Sequence, residues 1–285
     1  MASNLTGQHV LITGGSSGLG LATAVALTQR GALVTITSRD VGRAEHAVRS
    51  IEDRTGIRVA ADTVDLSDLD SVREFAGRYT DDHDHIDVLF NNAGSVFGTR
   101  RTTARGDEMT FATNHLGPFL LTSLLAGLLG GSSPTRVINT SSVAHAHADQ
   151  GMLFDDLKWE NRRYKMMDVY GHSKLANILH ARGINDRTGA DVQAFAVHPG
   201  VVGTSFGGRG GSIVVRAATK FAKRWMRTVE EGADTMVWLA TEPTVDVSDG
   251  IYFTDRRVEN STRWARDKDQ ADRLWAVSAE LVGRP

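Results

Sequence analysis

His9-Val10-Leu11-Ile12-Thr13 is a short apolar run that leads directly into Gly14-Gly15-Ser16-Ser17-Gly18-Leu19-Gly20, and an apolar-rich helical stretch follows at 21–30. This order of strand, glycine turn and helix restricts the fold more than any other feature of the chain. Glycines at 14, 18 and 20 admit backbone geometry and close approach that side chains would obstruct, and a helix beginning there directs unsatisfied amides toward an anion. Ser16 and Ser17 add hydroxyl donors, and Leu19 lies within the turn. Glycines also make ordinary strand-to-helix turns. The flanking strand and helix nevertheless predict a dinucleotide-binding βα unit with Gly14, Ser16, Ser17, Gly18, Leu19 and Gly20 at the phosphates. No lysine follows the last glycine as a nucleotide-triphosphate loop requires.

The alternation continues. Gly31 ends the first helix and 32–37 is β-prone; helices are expected at 42–53 and 68–79, with a strand and its exit at 59–65 between them. A strand at 86–90, helical material at 105–130 and a strand at 136–140 come next. A helix at 169–185, a strand at 192–197, a helix at 230–241 and a last strand at 250–253 complete the pattern. Helices between successive short apolar strands predict an α/β fold: a doubly wound, mostly parallel Rossmann-type sheet with helices on both faces. The 285 residues slightly exceed the usual upper limit of about 250 for one domain. We therefore expect a single domain over 1–285, with substrate-side excursions near 145–169 and 205–228. Four glycines in Phe206-Gly207-Gly208-Arg209-Gly210-Gly211 mark the second as a mobile loop or an inert linker, entering a helical segment at 212–228.

Strand exits carry the remaining cofactor candidates. At the second, Arg39 can pair with the extra phosphate of NADP while Ser38 donates a hydrogen bond, so NADP/NADPH is preferred and NAD/NADH remains open because Asp40 is adjacent. Asp65, followed by Leu66, can accept from the adenine amino group. In Asn91-Asn92-Ala93-Gly94 the small residues leave space beside a cofactor, and Asn91 can fasten neighbouring sheet exits or contact ribose, two roles that need not compete.

Tyr170-Gly171-His172-Ser173-Lys174 places a phenol and an ammonium four residues apart, on one face if helical. Lys174 can stabilise developing phenolate and reach the nicotinamide ribose, while Tyr170 donates a proton to a carbonyl oxygen, or accepts one in reverse. Ser142 can hydrogen-bond the same oxygen, with Ser141 its adjacent competitor, and Asn114 can hold a water near Lys174.

Other chemistry has less support. Lys and Arg total 32 against 34 Asp and Glu, a net charge of −2 with neutral histidines, which gives no bulk attraction for nucleic acid or an anionic membrane. The absence of cysteine removes disulfides, thiolate nucleophiles and cysteine-ligated metals, and fits cytoplasmic residence. His145, His147 and Asp149, or His83-Asp84-His85, lack a complete ligand spacing, so no metal is expected. Ser142 is in no hydrolase nucleophile elbow. The first seven residues show neither a cationic leader nor an export segment, and the expectation is a fold that begins almost at once. The uncharged run at 116–131 is interrupted by Gly117, Pro118, Gly127, Gly130 and Gly131, and its apolar part falls short of the roughly 20 residues of a bilayer span. It is expected as a buried helix rather than a membrane anchor.

Together, Thr13 through Gly20, Asn91 through Gly94, Asn114, Ser142 and Tyr170 through Lys174 resemble the short-chain dehydrogenase/reductase superfamily across nearly the whole chain. His198-Pro199-Gly200-Val201-Val202-Gly203-Thr204 is similar to its cofactor loop, which implies that Pro199, Gly200, Val202 and Thr204 contact the nicotinamide end. The resemblance implies an Asn-Ser-Tyr-Lys catalytic set and hydride exchange between a nicotinamide cofactor and a carbonyl or alcohol. Thr140 through His145, Phe154-Asp155-Asp156-Leu157, Tyr170 through Asn177, Gly250-Ile251-Tyr252-Phe253 and Leu274 through Leu281 are similar to the retinol-dehydrogenase-like branch. A homodimer or homotetramer is compatible with the resemblance, with helices at 110–129 and 169–185 as interface candidates.

Trp159, Tyr164, Met166, Met167, Trp225 and Met226 suit either packing or an adaptable apolar substrate region, so the small-molecule substrate is expected to be a bulky, apolar ketone or aldehyde, or its alcohol. Two alternatives stay open: reduction of an activated carbon-carbon double bond, and a catalytically idle nucleotide-dependent binding protein.

Overall fold

A computed structural model of the chain describes residues 5–130, 134–202, 226–248 and 250–284. The expected alternation is present: β1 (His9–Ile12), α1 (Gly18–Thr28), β2 (Leu33–Ser38), α2 (Val41–Thr55), β3 (Ala60–Thr63), α3 (Leu69–Asp82) and β4 (Val88–Asn91) form the first half. In the second half come α4 (Met109–Phe111), a π-helical turn (Ala112–Leu116), α5 (Gly117–Leu124), β5 (Thr135–Thr140), α6 (Met166–Thr188), β6 (Val192–Val197), α7 (Val229–Thr241), β7 (Tyr252–Thr254), β8 (Arg257–Val258) and α8 (Lys268–Leu281). The strands lie in one sheet in the order β3-β2-β1-β4-β5-β6-β7-β8. All neighbouring pairs are parallel except the antiparallel β7–β8 pair. The chain thus winds outward from β1 in both directions, and the exits of β1 and β4 lie side by side.

Side chains alternate across each strand, and both faces are apolar. Leu11, Leu89, Val137 and Ala194 pack with Phe75, Phe119, Leu120, Leu175 and Leu179 on one face. Val10, Ile12, Phe90, Ile138 and Phe195 meet Val25, Leu27, Ile51, Met236 and Leu239 on the other. The uncharged run at 116–131 contributes the buried α5 to the first face. No helix among the described residues is long and apolar enough to cross a membrane.

Several boundaries move by two to four residues. Residues 105–108 precede the helix instead of starting it, because Thr102 bridges Glu108 in a small antiparallel turn and the Glu108 carboxylate caps the N–H of Phe111. Within the first excursion, Val143–His147 forms a 3-10 turn. Trp159 is buried and packs on Tyr164 and His172, whereas Met166 and Met167 are exposed. Of the second excursion, residues 203–225, including Thr204, the glycine-rich run and Trp225, lie outside the described residues. The C-terminal α8 lies over α5 and α6: the Trp275 ring stands 5.0 Å from that of Phe119, and Ser278 hydrogen-bonds His115 at 2.7 Å. Part of the surface expected between copies is therefore covered by the chain itself.

Candidate active site

The carboxyl ends of β1, β2 and β4 build one side of the site. Gly14 has φ +67°, and a Cβ on Gly20 would stand 2.5 Å from the Gly14 carbonyl oxygen and 2.6 Å from Asn92 Nδ2. The turn therefore closes only with glycine at position 20. Ser17 occupies the N-cap of α1 without a side-chain cap, and no acidic residue stands in the first turn. An anion can accept from these first-turn amides. Thr13 was not singled out from the sequence. Its hydroxyl donates to the Phe90 carbonyl at 3.0 Å and accepts from the Asn92 and Ala93 N–H groups, tying β1 to β4 beneath the turn.

At the β2 exit, Ser38 is buried and Arg39 exposed. The Asp40 carboxylate, a potential competitor for a phosphate beside Arg39, is engaged by the Arg43 N–H at 2.8 Å as the N-cap of α2. Asp65 accepts from the Ser67 N–H and hydroxyl through one carboxylate oxygen. Leu66 is buried against α5, where Gly117 allows its carbonyl to approach. Asn91 points into the sheet: its Nδ2 donates to Thr122 Oγ1 at 3.0 Å and Asn139 Oδ1 at 2.9 Å. Both amide hydrogens hold neighbouring elements, while the Oδ1 has no hydrogen-bond partner among the described residues.

Beyond β6, Gly200 has φ +81°. Val202 Cγ2 and Leu19 Cδ2 both approach Gly232 so closely that a Cβ there would lie 2.5 and 2.7 Å from them. The Pro199–Val202 stretch is thereby laid against the glycine turn, which the chain separation does not reveal.

The opposite wall comes from β5, its following 3-10 turn, and α6. Tyr170 hydrogen-bonds the Ser142 side chain, while Lys174, one turn along α6, carries Nζ 5.4 Å from the Tyr170 ring centroid. The approach depends on Gly171, where a Cβ would stand only 2.5 Å from the Ala144 carbonyl oxygen. Ser141 is turned inward, its hydroxyl donating to the Lys174 carbonyl at 2.8 Å. Only Ser142 of the two serines faces the phenol. Lys174 is 1% exposed and donates from Nζ to the Thr140 carbonyl at 2.9 Å, an oxygen that also accepts from Asn177 Nδ2 at 2.9 Å. Asn177 was not recognised as a site residue, although its place three positions after Lys174 on one helix was a usable signal.

Asn114 lies in the π-helical turn, whose wider winding interrupts the α-helical register. Its Oδ1 accepts from the Ser95 N–H at 2.7 Å, and its Nδ2 donates to the Ser95 carbonyl at 2.9 Å and to Ser173 Oγ at 3.0 Å. A Cβ on Gly94 would lie 3.3 Å from Asn114 Oδ1 and 3.5 Å from Lys174 Nζ, so Gly94 and Ala93 bring the β4 exit to the same place as Asn114 and Lys174.

Burial pushes the Tyr170 phenol up to about 12 against a smaller opposing effect of the Ser142 hydrogen bond, and it pushes Lys174 down to about 7. Desolvation thus governs both groups in the free protein, and the only opposing effect on the phenol is the Ser142 hydrogen bond. A protonated phenol, a hydroxyl within its reach and a buried amine form a proton-donating set at the sheet ends, opposite an anion-accepting turn. Among the described residues no group of histidine, aspartate and glutamate could hold a metal ion.

A family model of short chain dehydrogenases matches residues 8–153. Human retinol dehydrogenase 13 is 38% identical over 290 residues, covering 99% of this chain and 86% of that protein. Among solved structures, an uncharacterized protein from Mycobacterium paratuberculosis is 32% identical with a TM-score of 0.76, over 99% of this chain and 96% of the other. A short chain dehydrogenase from Burkholderia cenocepacia J2315 in complex with NADP is 25% identical with a TM-score of 0.65, over 84% and 92%.

Proposed function

This chain belongs to the short-chain dehydrogenase/reductase family, resembles its retinol-dehydrogenase branch and interconverts carbonyls and alcohols with a nicotinamide cofactor; on that premise we propose that it is an NADPH-preferring reductase of bulky, apolar ketones or aldehydes. The observation that carries this reading is the buried Tyr170–Ser142–Lys174 cluster, placed where β5 and α6 meet.

In this reading Gly14, Ser16, Ser17, Gly18, Leu19 and Gly20 hold the pyrophosphate. Ser38 and Arg39 hold the 2′-phosphate, and Asp65 and Leu66 flank adenine. Ala93 and Gly94 leave room for the ribose, and Pro199, Gly200 and Val202 line the nicotinamide end. The residues fit such a ligand: α1 offers uncapped amides, Arg39 is exposed, and its nearest acidic neighbour is engaged elsewhere. When bound, a reduced nicotinamide supplies the hydride. Tyr170 donates the proton to the carbonyl oxygen, and Ser142 orients that oxygen by hydrogen bonding. Lys174, anchored on Thr140, steadies the charge left on the phenol, and Asn114 holds the adjoining backbone of Ser95. Thr204 keeps its role as a carboxamide contact by resemblance alone. A homodimer or homotetramer built through α5 and α6 must accommodate α8, and light scattering checks the assembly.

NADPH's extra phosphate adds charge-assisted hydrogen bonds at Arg39. Initial rates on a panel of aromatic and long-chain ketones and aldehydes, with all four nicotinamide forms, test the proposal. The expected result is reduction to alcohols with kcat/KM at least about tenfold higher for NADPH than NADH. An NADH preference overturns the donor assignment; products that retain the carbonyl overturn the reaction.

A further inference from the structure

Ser142 stands extended at the N-cap of the 3-10 turn at Val143–His147, with φ −162° and ψ 155°. Its hydroxyl sits on a stem with one rotatable bond, so the place of that hydroxyl follows from the orientation of the serine backbone. A side chain holds that backbone. The Ser142 carbonyl accepts from the His145 N–H at 3.0 Å and from His145 Nδ1 at 2.8 Å, which fills both of its lone pairs. The first bond belongs to the turn and would form with any residue but proline. The second belongs to histidine. With the carbonyl fixed, the hydroxyl oxygen accepts from the Ala144 N–H at 3.2 Å, and the same side chain bonds Tyr170.

His145 is 4% exposed, and burial lowers it below the ordinary histidine value. The ring is therefore neutral at neutral pH and has one hydrogen to give. The Thr262 N–H donates to His145 Nε2 at 3.2 Å, so that nitrogen carries no proton and Nδ1 is left as the donor to Ser142. The tautomer is thus set from outside the site, by the chain that leaves β8. The Tyr252 ring stands edge-on to the imidazole, 5.0 Å between centroids. Two further bonds fasten the same C-terminal segment to the excursion after Ser142: Trp264 Nε1 donates to the Asp149 carbonyl at 2.7 Å, and Gln270 Oε1 accepts from the Met152 N–H at 2.8 Å. Gly151, at φ +82°, permits the approach, since a Cβ there would stand 2.9 Å from Gln270 Oε1 and 3.1 Å from Trp264 Cδ2.

We propose that His145 is a positioning residue for the reduction: held in its Nδ1–H form by the Thr262 N–H, it fixes the Ser142 carbonyl and so aims the Ser142 hydroxyl at Tyr170 and the substrate oxygen. The proposal rests on the carbonyl-reductase reading and adds to its site a residue that acts through another. Without the Nδ1 donor the turn keeps its main-chain bond, so the segment stays folded while the serine is free to turn. The effect falls on kcat, because the hydroxyl serves the substrate oxygen as charge develops on it, whereas the phosphates of NADPH bind at the opposite wall.

Asparagine and glutamine divide the two bonds of the ring between them, since Asn Nδ2 takes the place of Nδ1 and the Gln amide oxygen that of Nε2. With NADPH and the panel ketone reduced fastest, His145→Gln is expected to lower kcat by about tenfold or more, within what a misplaced group costs. NADPH affinity by fluorescence titration stays as in the wild type. His145→Asn restores the donor and is expected to recover most of the lost kcat. In a Ser142→Ala background there is no hydroxyl to aim, so His145→Gln costs no further activity. A merely structural role gives equal losses in the two His145 variants, or the same loss with and without the serine hydroxyl, and either result overturns the proposal. Should neither variant fold, Thr262→Pro, whose ring suits the native φ of −61°, removes the N–H that sets the tautomer. A loss of kcat that vanishes in the Ser142→Ala background then supports the proposal, and an unchanged kcat or an additive loss overturns it. If no panel ketone oxidises NADPH, or Ser142→Ala turns over normally, the carbonyl-reductase reading or its serine fails instead. His145 is then judged from crystal structures of its variants: a Ser142 hydroxyl within reach of Tyr170 in His145→Asn and turned away in His145→Gln supports the proposal, and one placement in both overturns it.

Discussion

At the scale of single residues, the Tyr170 phenol, held up at about 12 by burial, stays protonated throughout the neutral range. Such a group is a proton donor before it is a base, so the free protein is set for reduction, and oxidation requires a phenolate that the surroundings disfavour. Tyr170→Phe removes the proton and retains the ring. We expect it to lower kcat for ketone reduction by about 10²- to 10⁴-fold, the usual contribution of a positioned acid, while NADPH still binds by fluorescence titration. Near-normal turnover contradicts the proton role. The phenol and amine were legible because a spacing of four residues has one meaning on a helix. The choice between Ser141 and Ser142 was not: it depends on which way each side chain turns beyond β5, a property of the folded pleat. The Thr140 carbonyl that anchors Lys174 and Asn177 was also hidden, because a backbone acceptor looks the same in every residue.

Between elements, the decisive contact is the approach of α6 to the 3-10 turn at Val143–His147. Gly171 permits it, with the Ala144 carbonyl only 2.5 Å from where a Cβ would stand. Gly171→Ala forces the helix away and separates Tyr170 from Ser142. We expect a loss of about 1–3 kcal/mol in unfolding free energy by urea titration, the range for overpacked sites, together with reduced kcat for ketone reduction. Unchanged stability and rate contradict the assigned contact. The parallel strands were readable because their apolar runs must be buried on both faces, and β6 occupies the expected residues. The π-helical turn at Asn114 was not readable, since it arises from packing against neighbours rather than from any residue preference. Nor was α8 as a cover for α6: a surface helix does not state where its apolar side docks.

For the molecule as a whole, the two apolar faces of the sheet enclose polar groups that resist charge. Burial lowers His115, His180 to about 3, and His198 to about 4. As pH falls below the ordinary histidine value near 6.5, the unfolded chain takes up protons that the folded chain refuses, so stability falls with pH until the folded values are passed. Melting temperature is therefore expected to drop between pH 7 and pH 5, less steeply in His180→Gln, as followed by circular dichroism. A flat wild-type profile contradicts the buried neutral histidines. The overall architecture was legible because strand, turn and helix recur along the chain, whereas the meeting of sites from residues 14, 94, 142 and 170 exists only once the sheet order is set. That convergence has one direct test: reduction of a ketone with NADPH deuterated at both nicotinamide C4 positions, followed by mass and NMR analysis of the product. One deuterium on the carbinol carbon is the predicted result. Label on the β-carbon of an enone whose carbonyl stays intact, or no transfer to any ketone, contradicts the account.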